Sequence, residues 1–263
     1  MGNTYEFCQS CGGVKRGMNQ KQIKQDKIPV VEIFKSISGE GITSGFFVTF
    51  VRVAGCNLRC SYCDTTYSYE KEYADNMCLT LDEIYQQVKT LGCKDVICTG
   101  GEPLEHDTPK RYLPLYLASK GLQVRIETNG SCEVYSQKEV AFFMSGSREA
   151  QVQYTLDIKC PGSSMHQYNI FEHNFKQLLE GDELKFVVSG QLDIAYALDV
   201  IEAYKDIFKA HDVVINFSPV YGKMDAREIV DTLKQHPLLS EQLKIRISLQ
   251  LHKMIWPPEM RGV

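Results

Sequence analysis

Phe47-Val48-Thr49-Phe50-Val51-Arg52-Val53-Ala54-Gly55-Cys56-Asn57-Leu58-Arg59-Cys60-Ser61-Tyr62-Cys63 runs a β-branched, aromatic segment into a loop with three thiols spaced CxxxCxxC. The first part predicts a strand, Phe47-Arg52, and places the loop at its C-terminal end. Three thiolates in one tight loop can hold three irons of a four-iron cluster and leave the fourth open to a ligand that is not protein. A structural zinc ion is the alternative, and it needs a fourth protein ligand, usually from a second paired motif. The other pair, Cys8 and Cys11, is separated from the loop by ~45 residues and a predicted strand, unlike a compact finger. Ligand count therefore favours the cluster.

Working outward from this stretch, short β-branched runs alternate with longer amphipathic ones, the pattern of βα units around a parallel sheet. The predicted strands are Val30-Phe34, Phe47-Arg52, Asp95-Cys98, Gln123-Glu127, Gln153-Asp157, Glu183-Val188, Asp212-Phe217 and Lys244-Ile247. The predicted helices are Thr80-Leu91, Lys110-Ser119, Ser136-Met144, Tyr168-Leu179, Ile194-Lys209 and Ala226-Gln235. Thr80-Leu81-Asp82-Glu83 is a capping box that fixes one helix start. About six parallel β/α units are too few to close an eight-stranded barrel, so the expected fold is a single-domain α/β protein with a partial, open TIM-type barrel. Residues 28 to 263 form that domain, preceded by an N-terminal extension, 1 to 27.

The loops that carry chemistry then share one face. The thiol loop follows Phe47-Arg52, Thr99-Gly100-Gly101-Glu102-Pro103 follows Asp95-Cys98, and Thr128-Asn129-Gly130-Ser131 follows Gln123-Glu127. All lie at strand C-terminal ends, where α/β barrels build their active sites. The Gly-Gly turn is an ordinary βα connection by one reading; by another it lets backbone groups approach a cofactor at the open iron.

Composition limits the partners. The formal net charge is -4 over 263 residues, and no basic run stands out, which argues against nucleic acid and anionic membranes. No apolar run reaches the length of a membrane span, and the start of the chain lacks the apolar segment of a signal peptide. A cytoplasmic protein with reduced thiols is expected, although Cys occurs 10 times.

CxxxCxxC with Tyr62 before the last Cys, followed one strand later by Gly100-Gly101-Glu102-Pro103, resembles the radical S-adenosylmethionine (SAM) enzymes. Ile33-Phe34-Lys35-Ser36-Ile37-Ser38-Gly39-Glu40-Gly41, Phe50-Val51-Arg52-Val53-Ala54-Gly55-Cys56, Cys63-Asp64-Thr65 and Leu249-Gln250-Leu251-His252-Lys253 look like the 7-carboxy-7-deazaguanine synthases of queuosine biosynthesis. The resemblance implies conversion of 6-carboxy-5,6,7,8-tetrahydropterin to 7-carboxy-7-deazaguanine by a radical ring contraction with loss of ammonia. It implies a 4Fe-4S cluster on Cys56, Cys60 and Cys63, SAM, and Mg2+ held by Thr65. Tyr62, Gly101, Asp157, Ile158, Lys159 and His252 would contact SAM. Ile37, Ser38, Gly39, Arg52, Thr99 and Pro258 would surround the substrate. Ser38 stands where the family often has Gln, so backbone contacts from Ile37 to Gly39 are expected there. No general acid or base is implied. An external electron donor such as a flavodoxin or ferredoxin and a homodimer are the implied partners. A radical activase of a protein substrate shares the thiol loop and the Gly-Gly-Glu-Pro turn, but has no need of the Ser38-Gly41 signature or of Thr65.

Overall fold

The computed structural model describes residues 25–69, 77–144 and 152–263. The Cys8/Cys11 pair and residues 1–24 of the expected extension lie outside the described residues. The strands are β1 Ile28–Ile37, β2 Phe47–Val53, β3 Cys78–Leu79, β4 Asp95–Gly100, β5 Gln123–Thr128, β6 Val152–Ile158, β7 Glu183–Val188, β8 Val214–Pro219 and β9 Lys244–Ile247. The helices are α1 Leu81–Leu91, α2 Leu113–Ser119, α3 Gln137–Phe143, α4 Phe171–Phe175, α5 Gln191–Ala210, α6 Ala226–Lys234 and α7 His252–Ile255.

Among the described residues the strands form one sheet in the order β3-β1-β2-β4-β5-β6-β7-β8-β9. From β2 to β9 every pairing is parallel, so seven parallel strands are present where about six β/α units were expected. β1 pairs antiparallel with β2 through the turn that carries Ser38 to Gly41, and β3 adds one more antiparallel step. The sheet does not close. Its two edges are β3 and β9, which makes it an open, partial barrel.

Strand alternation sorts the residues by face. Val51, Val53, Val96, Cys98, Ile126, Tyr154, Leu156, Ile158, Leu184, Phe186, Ile215 and Phe217 point to the side covered by helices and form one continuous core with Leu81, Ile84, Val88, Leu117, Ile194, Ile201 and Ile229. The amphipathic helices exist because those apolar stripes need this surface. Thr80 and Glu83 form the expected capping box, and Gly92 ends α1 in a left-handed conformation.

Two predicted helices are shorter than expected. In place of a helix over Tyr168-Leu179, α4 spans only Phe171–Phe175. The Asn169 side chain bridges the backbone of Lys159 at 2.9 and 2.8 Å, and the Ile170 amide donates to Gly130 O at 3.0 Å, so the chain is held to neighbouring loops where the expected helix would run. The Lys110-Ser119 segment starts as a 3-10 turn, Pro109–Tyr112, because Pro114 near the start of α2 cannot continue an α-helix from the preceding turn. Among the described residues no helix is long and apolar enough to cross a membrane.

Candidate active site

Opposite the helices, the other set of alternating side chains is polar. Arg52 on β2, Thr99 on β4, Glu127 on β5, Asp157 on β6 and Lys185 on β7 all line one cavity of about 800 Å³. Register places Arg52 beside Thr99, Glu127 beside Thr155, and Asp157 beside Lys185. The volume lies in the range of small-molecule and cofactor sites.

Cys56, Cys60 and Cys63 border the same cavity and are partly exposed. The stem of their loop is pinned from several directions. Gly101 N donates to Val53 O and Glu102 N to Gly55 O, each at 2.9 Å, while Gly55 N donates to Ser68 O at 2.8 Å. The buried Lys110 ammonium donates to Ala54 O at 3.1 Å and Gly55 O at 2.6 Å. A Cβ on Gly101 would lie 2.0 Å from Gly55 O. The bare glycine thus first serves the close contact of two loops. Across the loop, Ser61 is tied to Ser163 O and Gly162 O.

Burial raises the Cys56 thiol, and it pushes Cys60 up to about 11 although the Lys159 ammonium pulls the other way. Such thiols become ligands when a metal displaces their protons. Among the described residues no three His, Cys, Asp or Glu side chains converge as ligands of one ion would. Three partly exposed sulfur donors from one loop face the cavity, the donor chemistry that a four-iron cluster with one open iron takes. Asp157 gives one carboxylate oxygen to Lys159 at 2.7 Å and keeps the other buried without a hydrogen-bond partner among the described residues. That orphaned acceptor beside the thiols fits a cofactor with polar donors, as SAM is.

The remaining sequence-expected residues fall as follows. Ile37, Gly39, Tyr62, Thr65, Thr99, Gly101, His252 and Pro258 line the cavity. Tyr62 donates its hydroxyl to Val187 O at 3.1 Å. Thr65 donates to Asp64 at 3.1 Å. Arg52 gives its Nε to Glu32 at 2.8 Å, which leaves the paired terminal nitrogens without a hydrogen bond among the described residues. Two side chains face elsewhere. Ile158 is fully buried in the helix-side core, because it alternates out of phase with Asp157 and Lys159. The Ser38 hydroxyl is spent within its own turn, on Glu40 O at 3.2 Å and the Thr43 hydroxyl at 2.8 Å.

The C-terminal segment docks on that turn. Leu251 N donates to Gly39 O at 2.8 Å, and a Cβ on Gly39 would meet His252 Nδ1 at 2.0 Å, so only glycine admits the imidazole. Burial lowers the His252 pKa. Lys253 reaches Asp64, the residue after Cys63, at 2.7 Å. The surrounding atoms would raise that carboxyl, yet Lys253, Lys185 and the Thr65 hydroxyl hold it well below the usual range.

Sequence reading missed several cavity residues. Lys185 pairs with Glu40, and the half-buried Glu127 accepts from Thr99 at 2.7 Å. Burial raises the Glu127 carboxyl. Asn129 and residues Glu259 to Val263 also line the cavity, with Arg261 stacked 3.8 Å over the Tyr67 ring. A signal for the strand residues existed: Glu127 and Lys185 are charges on strands that otherwise read as buried, as the expected Asp157 is.

The Radical SAM superfamily profile matches residues 50–236. A 7-carboxy-7-deazaguanine synthase from Clostridium acetobutylicum is 40% identical over 234 residues, covering 89% of this chain and 98% of that one. The protein of the same name from Chlorobaculum tepidum is 34% identical over 236 residues, covering 89% and 96%. In fold, the chain resembles the crystal structure of QueE from Escherichia coli with a TM-score of 0.56 at 22% identity, covering 85% of this chain and 94% of that one. With its thiol loop, Gly-Gly-Glu-Pro turn and polar half-barrel interior, the chain belongs to the radical SAM superfamily and, within it, to the 7-carboxy-7-deazaguanine synthases.

Proposed function

We propose that the chain converts 6-carboxy-5,6,7,8-tetrahydropterin to 7-carboxy-7-deazaguanine, with residues 28 to 263 as one catalytic domain. The observation that supports this reading is that three cluster-spaced thiols and the Arg52 fork open onto one cavity. A four-iron cluster on Cys56, Cys60 and Cys63 with bound SAM supplies a carbon-centred radical able to take hydrogen from the pterin.

The chain's residues position and shield. Arg52 presents two parallel donors to the substrate carboxylate, with Glu32 and the face of Tyr67 holding the guanidinium in place. Thr65, on the cavity wall, would offer a hard oxygen to Mg2+. Thr99, the Ile37–Gly39 backbone and Pro258 border the substrate. Tyr62, Gly101, Asp157, Lys159 and His252 border SAM, and Ile158 contributes only main chain. Lys185, paired with Glu40, and Glu127 add a positive and a negative group to the cavity wall. Residues Glu259 to Val263 add to the cavity lining and limit the room for water beside a reactive species.

A cytoplasmic setting keeps the thiols reduced, an external carrier such as a flavodoxin or ferredoxin supplies electrons, and the working form is a homodimer. The test is anaerobic incubation of reconstituted protein with SAM, reductant and the carboxypterin, with and without Mg2+. Deazaguanine product is expected, falling in Thr65→Ala. Deoxyadenosine release without that product would refute the substrate, and stoichiometric zinc without iron would refute the radical chemistry.

A further inference from the structure

The Thr128-Asn129-Gly130-Ser131 turn at the end of β5 has no part in the roles above, yet it reaches the thiol loop. Asn129 Nδ2 lies 3.6 Å from Cys56 Sγ, an ordinary donor distance for sulfur, and 3.0 Å from Asn57 Oδ1. Asn57 Nδ2 in turn donates to the Ser131 hydroxyl at 2.7 Å, and that hydroxyl donates to Asn129 Oδ1 at 2.7 Å. The three side chains close a ring of hydrogen bonds.

The ring has a fixed sense. Ser131 N, a donor only, points at Asn129 Oδ1 at 3.0 Å, so the amide oxygen must face Ser131 and the NH2 must face the sulfur. The turn itself is held by the buried Glu102, which accepts from Asn129 N at 2.8 Å and the Thr128 hydroxyl at 2.7 Å. Leu58 N is a second donor to Cys56 Sγ, at 3.5 Å.

From this geometry we infer that Asn129 is a positioning residue for the cluster, acting through Cys56: its NH2 donates to the ligand sulfur and raises the cluster's reduction potential. A donor to a thiolate stabilises the more negative, reduced form, and hydrogen bonds to sulfur are among the factors that set cluster potentials. The couple is a one-electron reduction of the cluster by an external reductant. This inference rests on the cluster reading above.

The test is an EPR-monitored redox titration of reconstituted holoenzyme without SAM, for wild type, Asn129→Asp and Asn129→Ala. Asp keeps the acceptor for Ser131 and loses the donor; Ala removes both. At fixed poise the reduced-to-oxidised ratio should fall about tenfold in Ala, about 59 mV for one electron, and further in Asp, whose charge opposes reduction. Absence of any four-iron signal in wild type would overturn the cluster reading itself. A wild-type signal with unshifted variants would overturn the inference alone, as would variants that lose SAM affinity at unchanged potential. Should neither variant load a cluster, pulsed EPR of wild type carrying 15N in its asparagine side-chain amides decides: a 15N coupling supports the bond and its absence overturns it.

Discussion

Gly101→Ala tests the contact on which the thiol loop depends. The new Cβ would lie 2.0 Å from Gly55 O, 2.4 Å from Gly55 C and 3.0 Å from Cys56 N, all main-chain atoms. Real Cβ contacts essentially never fall below 3.0 Å, so one loop must retreat by at least 1.0 Å. Gly101 is not among the glycines with left-handed φ, so the substitution adds crowding without backbone strain. Overpacking of this kind costs about 1–3 kcal/mol. At about 2–4 °C per kcal/mol for a chain of this size, the melting temperature should fall by about 2–12 °C. The displaced atoms lead directly into Cys56, and a misplacement near 1 Å costs about 100-fold in turnover. Differential scanning fluorimetry and deazaguanine production measure the two effects. Gly190→Ala is the control: nothing lies within 4 Å of its added Cβ, and its φ of 175° suits any residue. It should change stability by less than about 1 kcal/mol in either direction. If Gly101→Ala matched that control in both stability and turnover, the packing argument for the Gly-Gly turn would be wrong.

Lys110→Met keeps the side-chain stem but removes the donor shared by Ala54 O and Gly55 O; with the Lys side chain only 2% exposed, about 3 kcal/mol should be lost, lowering the melting temperature by about 6–12 °C and speeding iron release to chelator. A variant that melts and releases iron like wild type would refute this. Arg52→Lys keeps the charge and loses the fork, so KM for the carboxypterin should rise roughly tenfold, about 1.4 kcal/mol, and an unchanged KM would remove Arg52 from the carboxylate. For the Asp64–Lys253 tie, the folded carboxyl sits below its ordinary 3.8, so its stabilisation is present above that pH and lost as pH falls toward the folded value. Because half of Asp64 is exposed, the tie is worth under about 1 kcal/mol, and the stability gap between wild type and Lys253→Met should begin to narrow as pH drops below about 4 and keep narrowing toward the folded value. A gap as wide at pH 2 as at pH 6 would refute the ion pair as its source.

The eight predicted strands and the position of the thiol loop were legible because both depend on local pattern: β-branched runs between turn residues, and cysteine spacing. The sheet holds seven parallel strands against the six or so expected, because which of the predicted strands pair in parallel is decided by the crossovers and not by local pattern. The helix expected over Tyr168-Leu179 is cut to Phe171–Phe175 for a reason outside the segment, since Asn169 is claimed by Lys159 and the Ile170 amide by Gly130. Within the site, Cys56, Arg52 and Thr99 could be anticipated from motifs at strand ends. Lys185 with Glu40, Lys253 with Asp64, and Asn129 with Cys56 could not, because each pair is far apart in sequence and meets only when the half-barrel closes one turn onto another.

Those long-range polar pairs also explain how an open barrel holds a defined interior. Beneath the cavity, buried Glu183 takes Arg125 at 2.9 Å, the Thr155 hydroxyl at 3.0 Å, Asn216 at 2.8 Å and the backbone amide of Ile42 at 2.8 Å. A buried carboxylate is tolerable only with such a full set of donors. Because one of those donors belongs to the turn after Gly39, the carboxylate on β7 fixes the turn that borders the substrate and receives His252. Apolar packing on the helix side supplies stability, while the polar interior supplies register between β1, β7 and the C-terminal segment. Changes to the first therefore act on melting temperature, and changes to the second act on the geometry of the site.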